Sequence, residues 1–226
     1  LLLASAHMAQ GRYPRAIALL QAALQKEVRP ELQDALSMAY MKSGQFKAAL
    51  SELESAWKRN PGSVYIGSSL AGLYLQLGQP AKAVAVAESL AKSGKDQPAL
   101  QYLLGKARLE AGDLKGARSA LEAAAKADPN RIEPQVELAR LDIGGKNFEV
   151  AEKRLNALVK REPKHIGLLS TLGQLHAAQG QLDEAQRWFE KAEVEEEDPR
   201  AAEMGHEVVN QLITLERFDE AEVELA

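Results

Sequence analysis

The sequence predicts an all-α solenoid of stacked antiparallel helix pairs. Three recurrences predict it: a short turn, an alanine in phase with that turn, and a leucine ahead of it. The turn reads Gly44-Gln45-Phe46-Lys47-Ala48-Ala49. Its relatives begin at Gly11, Gly78, Gly112 and Gly180, and two copies lack the glycine, Lys146-Asn147-Phe148 and Glu216-Arg217-Phe218. The alanines are Ala16, Ala49, Ala83, Ala117, Ala151, Ala185 and Ala221, at spacings of 33, 34, 34, 34, 34 and 36. The leucine position holds Leu3, Leu36, Leu70, Leu104, Leu138 and Leu172, with Val208 in the last copy.

Each copy reads as two helices. The first carries Leu-small-x-x-Tyr, as in Leu36-Ser37-Met38-Ala39-Tyr40. The small residue recurs as Ala4, Ser37, Ala71, Gly105, Ala139 and Gly173, with Val209 as the exception. Glycine then ends the helix, because it tolerates the positive φ of a sharp turn. The second helix has apolar residues at i, i+3, i+4 and i+7, as in Phe46, Ala49, Leu50 and Leu53. Pro61, Pro129 and Pro163 follow it, where proline cannot continue a helix. Pro80 stands at the start of a second helix, a position that accepts proline. Small residues on both helices let the backbones approach closely. One pair cannot bury its apolar faces alone, whereas stacked pairs share a continuous core.

Phasing gives full repeats at 30–63, 64–97, 98–131, 132–165 and 166–201, with partial ones at 1–29 and 202–226, as a single solenoid over 1–226. The 36-residue spacing places a two-residue insertion in the loop that carries Glu193, Glu195, Glu196, Glu197 and Asp198. That run reads as an exposed charged connection, with a docking site for a basic segment as the alternative. Leu1-Leu2-Leu3-Ala4-Ser5-Ala6 lacks the basic flank and the length of a signal peptide. The sequence is expected to be a piece of a longer protein.

Composition suits this architecture. The chain is 46% apolar but only 5% aromatic, as expected for Ala- and Leu-rich helices. A net charge of −4 argues against a nucleic-acid partner. The absence of cysteine excludes disulfides, thiol catalysis and cysteine-ligated zinc in these 226 residues. No apolar run reaches the roughly 18–20 residues of a membrane-spanning helix, so no direct membrane insertion is expected. The histidines His7, His165, His176 and His206 have no metal-ligand spacing. His7 and His176 stand where Tyr40 and Tyr74 stand in other repeats, which points to packing. His165 falls in an inter-repeat loop and His206 on a first helix; neither has an acid or nucleophile partner in view. The carboxylates next to cations, as in Glu152-Lys153-Arg154, read as a solvated helix face. Neither catalytic residues nor a cofactor or metal site is expected.

The period and these positions resemble the tetratricopeptide repeat, with its W-x2-L-G-x2-Y, A-x3-F and P pattern. The resemblance covers the whole chain. The family's first-helix Trp is missing: Gln33, Gly67, Gln101, Gln135 and Leu169 stand there. The resemblance implies a right-handed α-α superhelix and a non-catalytic scaffold that binds a protein or peptide on a concave face lined by first helices. In the family, the second, fifth, ninth, twelfth and thirteenth positions of those helices meet the partner. Here this implies Glu31, Asp34, Met38, Met41 and Lys42, with Tyr65, Leu75 and Gln76, and Tyr102, Lys106 and Leu109 in the next two repeats. Further on it implies Arg140 and Gln174. The favoured contact set is Met38, Met41, Lys42, Tyr65, Gln76, Tyr102, Lys106, Leu109, Arg140 and Gln174. The Lys and Asn of a chaperone-type carboxylate clamp are absent; Asp34/Met38, Ser68/Gly72 and Tyr102/Lys106 replace them.

Ala139-Arg140-Leu141-Asp142 with Asn147-Phe148, and Leu155-Asn156-Ala157-Leu158 before Pro163, are similar to bacterial tetratricopeptide lipoproteins of PEP-CTERM/exosortase and exopolysaccharide systems. That likeness implies a periplasmic or outer-membrane-associated location; without it the cytoplasm is expected. Two other functions stay open: a spacer in an envelope assembly, and a recruiting arm for a catalytic domain outside this segment. The sequence assigns no oligomeric state.

Overall fold

The computed structural model describes residues 1–94 and 97–194. Among these, twelve α-helices are the only regular elements. They form six consecutive pairs: α1 (Leu2–Ala9) with α2 (Tyr13–Lys26), α3 (Pro30–Lys42) with α4 (Phe46–Arg59), and α5 (Val64–Gln76) with α6 (Pro80–Ser93). Then come α7 (Pro98–Glu110) with α8 (Leu114–Ala127), α9 (Ile132–Gly144) with α10 (Phe148–Val159), and α11 (Ile166–Ala178) with α12 (Leu182–Val194). The chain divides into two compact units, Leu1–Ala127 and Asp128–Ala226. The partial repeat at 202–226, with Val208, Val209, Ala221 and His206, lies outside the described residues, as do Glu195, Glu196, Glu197 and Asp198.

First helices begin at Pro30, Val64, Pro98, Ile132 and Ile166, the first residues of the five full repeats. The turn between paired helices closes by one recurring pattern. At α3 the Gln45 N–H donates to the Tyr40 carbonyl (2.8 Å) and the Gly44 N–H to that of Met41 (3.0 Å). These two bonds satisfy carbonyls that the helix end leaves open. Gly44 has φ +76°, which explains the glycine. The same bonds close the turn at Lys146, which takes φ +59° without being glycine. Pro80 begins α6, as expected.

The repeating small residues sit where helices cross. Ala16, Ala49, Ala83, Ala117, Ala151 and Ala185 are all fully buried. Gly105 faces Leu121 of α8 so closely that a Cβ there would lie 2.7 Å from its side chain. Gly173 faces the Phe189 ring at the same distance. Leu36, Leu70, Leu104, Leu138 and Leu172 are buried, and each contributes about 1.5–3 kcal/mol of burial. Leu3 departs from the expectation and is exposed. It lies on α1. In the first unit Leu36, Leu53, Leu70 and Leu73 form the centre of the core. In the second, Ile132, Val136, Leu155, Leu168 and Leu172 do so.

Candidate functional site

In the first unit, α3 contacts α5 and α5 contacts α7, so the first helices lie side by side. Residues three or four apart share one helix face, and that face is graded. At the second position Glu31, Tyr65 and Ala99 are exposed, and at the ninth Met38, Gly72 and Lys106 are exposed. Lys42, Gln76 and Glu110 are exposed at the thirteenth. The twelfth-position residues Met41, Leu75 and Leu109 are half-buried, so they belong partly to inter-helix packing. Tyr102 is half-buried as well. Tyr65 and Met38 keep 54% and 40% of their surface in solvent. In the second unit Arg140 and Gln174 are exposed. Arg140 is positioned by Nε donation to Thr171 Oγ1 at 3.2 Å and by Glu137 at 3.3 Å.

Asp34 is only 2% exposed, a burial that the sequence does not announce. Its carboxylate accepts a hydrogen bond from the Ser69 hydroxyl, and the Tyr65 hydroxyl lies near enough for Asp34 to affect its titration. The two residues stand four apart on α5, and the acid is on α3. The hydrogen bond to Asp34, then burial, then the charges of Asp34 and Glu31 hold the Tyr65 hydroxyl above its ordinary pKa of 10.0.

A second set of polar side chains points toward the second helices. Tyr40, Tyr74 and Arg108 occupy the eleventh position of successive first helices. Each reaches the preceding repeat: Gln21 Nε2 donates to Tyr40 Oη (2.8 Å), Tyr74 Oη donates to Glu54 (2.7 Å), and Arg108 donates to Glu88 (2.9 Å). Burial first, and Glu54 second, push the Tyr74 hydroxyl well above 10.0. Lys82 lies over the Tyr74 ring at 5.3 Å. This ladder ties repeats together and leaves the opposite face open.

Three histidines fall among the described residues. His176 has Nδ1 2.6 Å from Gln181 Oε1, and His7 is half-buried with its Nδ1 out of solvent. His165 caps α11, its Nδ1 accepting from the Leu168 N–H at 3.2 Å. Arg154 corrects the reading of Glu152-Lys153-Arg154 as a solvated face. It donates to Gln135 at 2.6 Å and pairs at 3.5 Å with Asp142, which is 2% exposed. No group of three metal-ligating side chains occurs among the described residues. No described helix is long and apolar enough to cross a membrane.

The second unit has two hollows one repeat apart, of about 650 Å³ beside Pro129, Gln135 and Arg154 and about 930 Å³ beside Pro163, Leu169 and Trp188. Gln135 and Leu169 hold the position at which the family places Trp. In the first unit the equivalent Gly67 is covered from α4 instead: a Cβ there would meet the Trp57 ring at 2.6 Å.

The fold defines an all-α protein of consecutive helix pairs. Tetratricopeptide-repeat family models match residues 1–36, 40–107, 108–170 and 167–191, and the chain belongs to the tetratricopeptide-repeat family. Solved structures show the same fold. A tetratricopeptide repeat protein from Parabacteroides merdae is similar over 98% of this chain and 87% of its own, at 20% identity and a TM-score of 0.81. A thermophilic tetratricopeptide protein of Thermus thermophilus is similar over 80% of this chain and 98% of its own, at 21% identity and a TM-score of 0.69. YrrB, described as having an unusual peptide-binding site, is similar over 83% of this chain and 97% of its own, at 15% identity and a TM-score of 0.56. No curated protein matches the sequence. None of these comparisons supports the resemblance to exopolysaccharide-system lipoproteins.

Proposed function

We propose that the chain is a non-catalytic interaction scaffold that holds a peptide or protein segment on its first-helix face. The observation that carries this reading is the solvent-facing pair Met38 and Tyr65 on adjacent helices. Methionine adapts its shape to a partner, and tyrosine offers a large apolar ring with a polar tip. On the same first helices Lys42, Gln76 and Lys106 are exposed polar groups, and Met41, Tyr102 and Leu109 are half-buried. Arg140 and Gln174 offer the equivalent face in the second unit. The peptide-binding site named for YrrB is consistent with this use of the fold.

Affinity capture from an extract of the source, read by mass spectrometry, tests the proposal when the intact chain is run beside a Tyr65→Ala/Tyr102→Ala variant. Proteins held by the wild type and lost from a variant of equal helicity support the surface. The same proteins on both would move the binding site elsewhere.

A further inference from the structure

We propose that the Met38–Tyr65 face takes its partner by a basic residue: a lysine or arginine that enters beside the Tyr65 ring and takes over the Asp34 carboxylate from the Tyr65 hydroxyl. This rests on the first-helix face being the partner surface, and it assigns the chemistry of the partner segment.

Charge is the argument. A buried carboxylate is costly unless it is both hydrogen-bonded and paired with a cation. Asp34 has the first and not the second. Ser69 donates a neutral hydroxyl, the Tyr65 hydroxyl nearby is neutral too, and no ion pair to Asp34 is formed by a lysine or arginine among the described residues. Neither its own helix nor α5 offers one close by. α5 contains no charged residue, and α3 adds only Glu31 and Lys42. Glu31 is close enough to act on Tyr65. Lys42 is eight residues from Asp34, roughly 12 Å along the helix axis at about 1.5 Å per residue. The surface is therefore negative at this end and lacks its counter-charge.

Access is the second argument. Tyr65 lies near Asp34 and is 54% exposed, so an outward rotation of its ring would leave the buried core packing intact. A cation in its place meets the carboxylate, and the ring remains alongside for a cation–π contact. Met38 lies one turn beyond Asp34 on the same face and is free to receive the aliphatic stem of that side chain or its neighbour.

The test selects a displayed pool of random twelve-residue peptides on the whole immobilised chain and synthesises the enriched peptides. Enrichment of Lys or Arg, with affinity falling about tenfold or more in Asp34→Asn and in the Arg→Gln peptide, is expected. Tyr65→Phe removes the competing hydroxyl and keeps the ring, so it should tighten those peptides by about three- to tenfold. A structural role for Tyr65 would give no such gain. Should Asp34→Asn fail to fold by circular dichroism, the Tyr65→Phe comparison decides alone, and unchanged or weaker binding overturns the proposal. Enriched peptides without a basic residue, bound normally by Asp34→Asn but lost from Met38→Asp, would overturn it and leave the surface standing. Failure to enrich any peptide, or binding indifferent to both variants, would overturn both.

Discussion

Lys146 carries a conformation that its repeat partners give to glycine. Its φ of +59° places an L side chain in the left-handed region, which costs on the order of 1 kcal/mol. Lys146→Gly should therefore raise unfolding free energy by about 0.5–1 kcal/mol in urea titration, reduced by the entropy that glycine adds to the unfolded chain. Tyr74 provides a test of sign. Its hydroxyl is neutral in the folded protein to well above the unfolded value of 10.0, held by burial and by Glu54. Below about pH 10 both states keep the proton, and this contribution to stability is fully present. As pH rises past about 10 the unfolded tyrosine ionises while the folded one does not, and the contribution is lost. Urea midpoints compared at about pH 8 and pH 11 should fall less in Tyr74→Phe than in the wild type; an equal fall would remove Tyr74 from the alkaline limb.

At the scale of the helix pair, contact distance dominates. Gly105 on α7 and Leu121 on α8 leave no room for a methyl group, because both Cγ and Cδ2 of the leucine would lie 2.7 Å from it. Gly105→Ala gains helix propensity of about 1 kcal/mol, yet overpacking of this kind costs about 1–3 kcal/mol. We expect net destabilisation in thermal unfolding, and a companion Leu121→Ala change should make the alanine at 105 tolerable. The pair also shows which parts were legible. Small residues at 34-residue spacing announce a close crossing wherever they occur. The partner that fills the gap differs from repeat to repeat, Leu121 at Gly105 and Phe189 at Gly173, and the period does not specify it.

For the whole molecule, stability is a sum over neighbours. Leu155 is fully buried in the core of the second unit. Leu155→Ala should cost about 2–5 kcal/mol. Hydrogen exchange should quicken chiefly in α9, α10 and α11, with α3 and α5 close to wild type. Uniform loss of protection over all helices would contradict nearest-neighbour coupling.

The repeat phase, the helix pairs and the buried alanines follow from the amino-acid order alone, because helical period and turn chemistry are local and seven copies reinforce one another. Of the expected contact residues, Met38, Lys42, Tyr65, Gln76, Lys106, Arg140 and Gln174 are exposed, whereas Met41, Tyr102 and Leu109 are half-buried. The burial of Asp34 was not legible, nor was the pairing of Arg154 with Asp142 or the covering of Gly67 by Trp57. Each depends on which particular side chains two helices bring to one crossing. That is a property of three-dimensional contact, invisible to a period that repeats positions but not the residues that fill them.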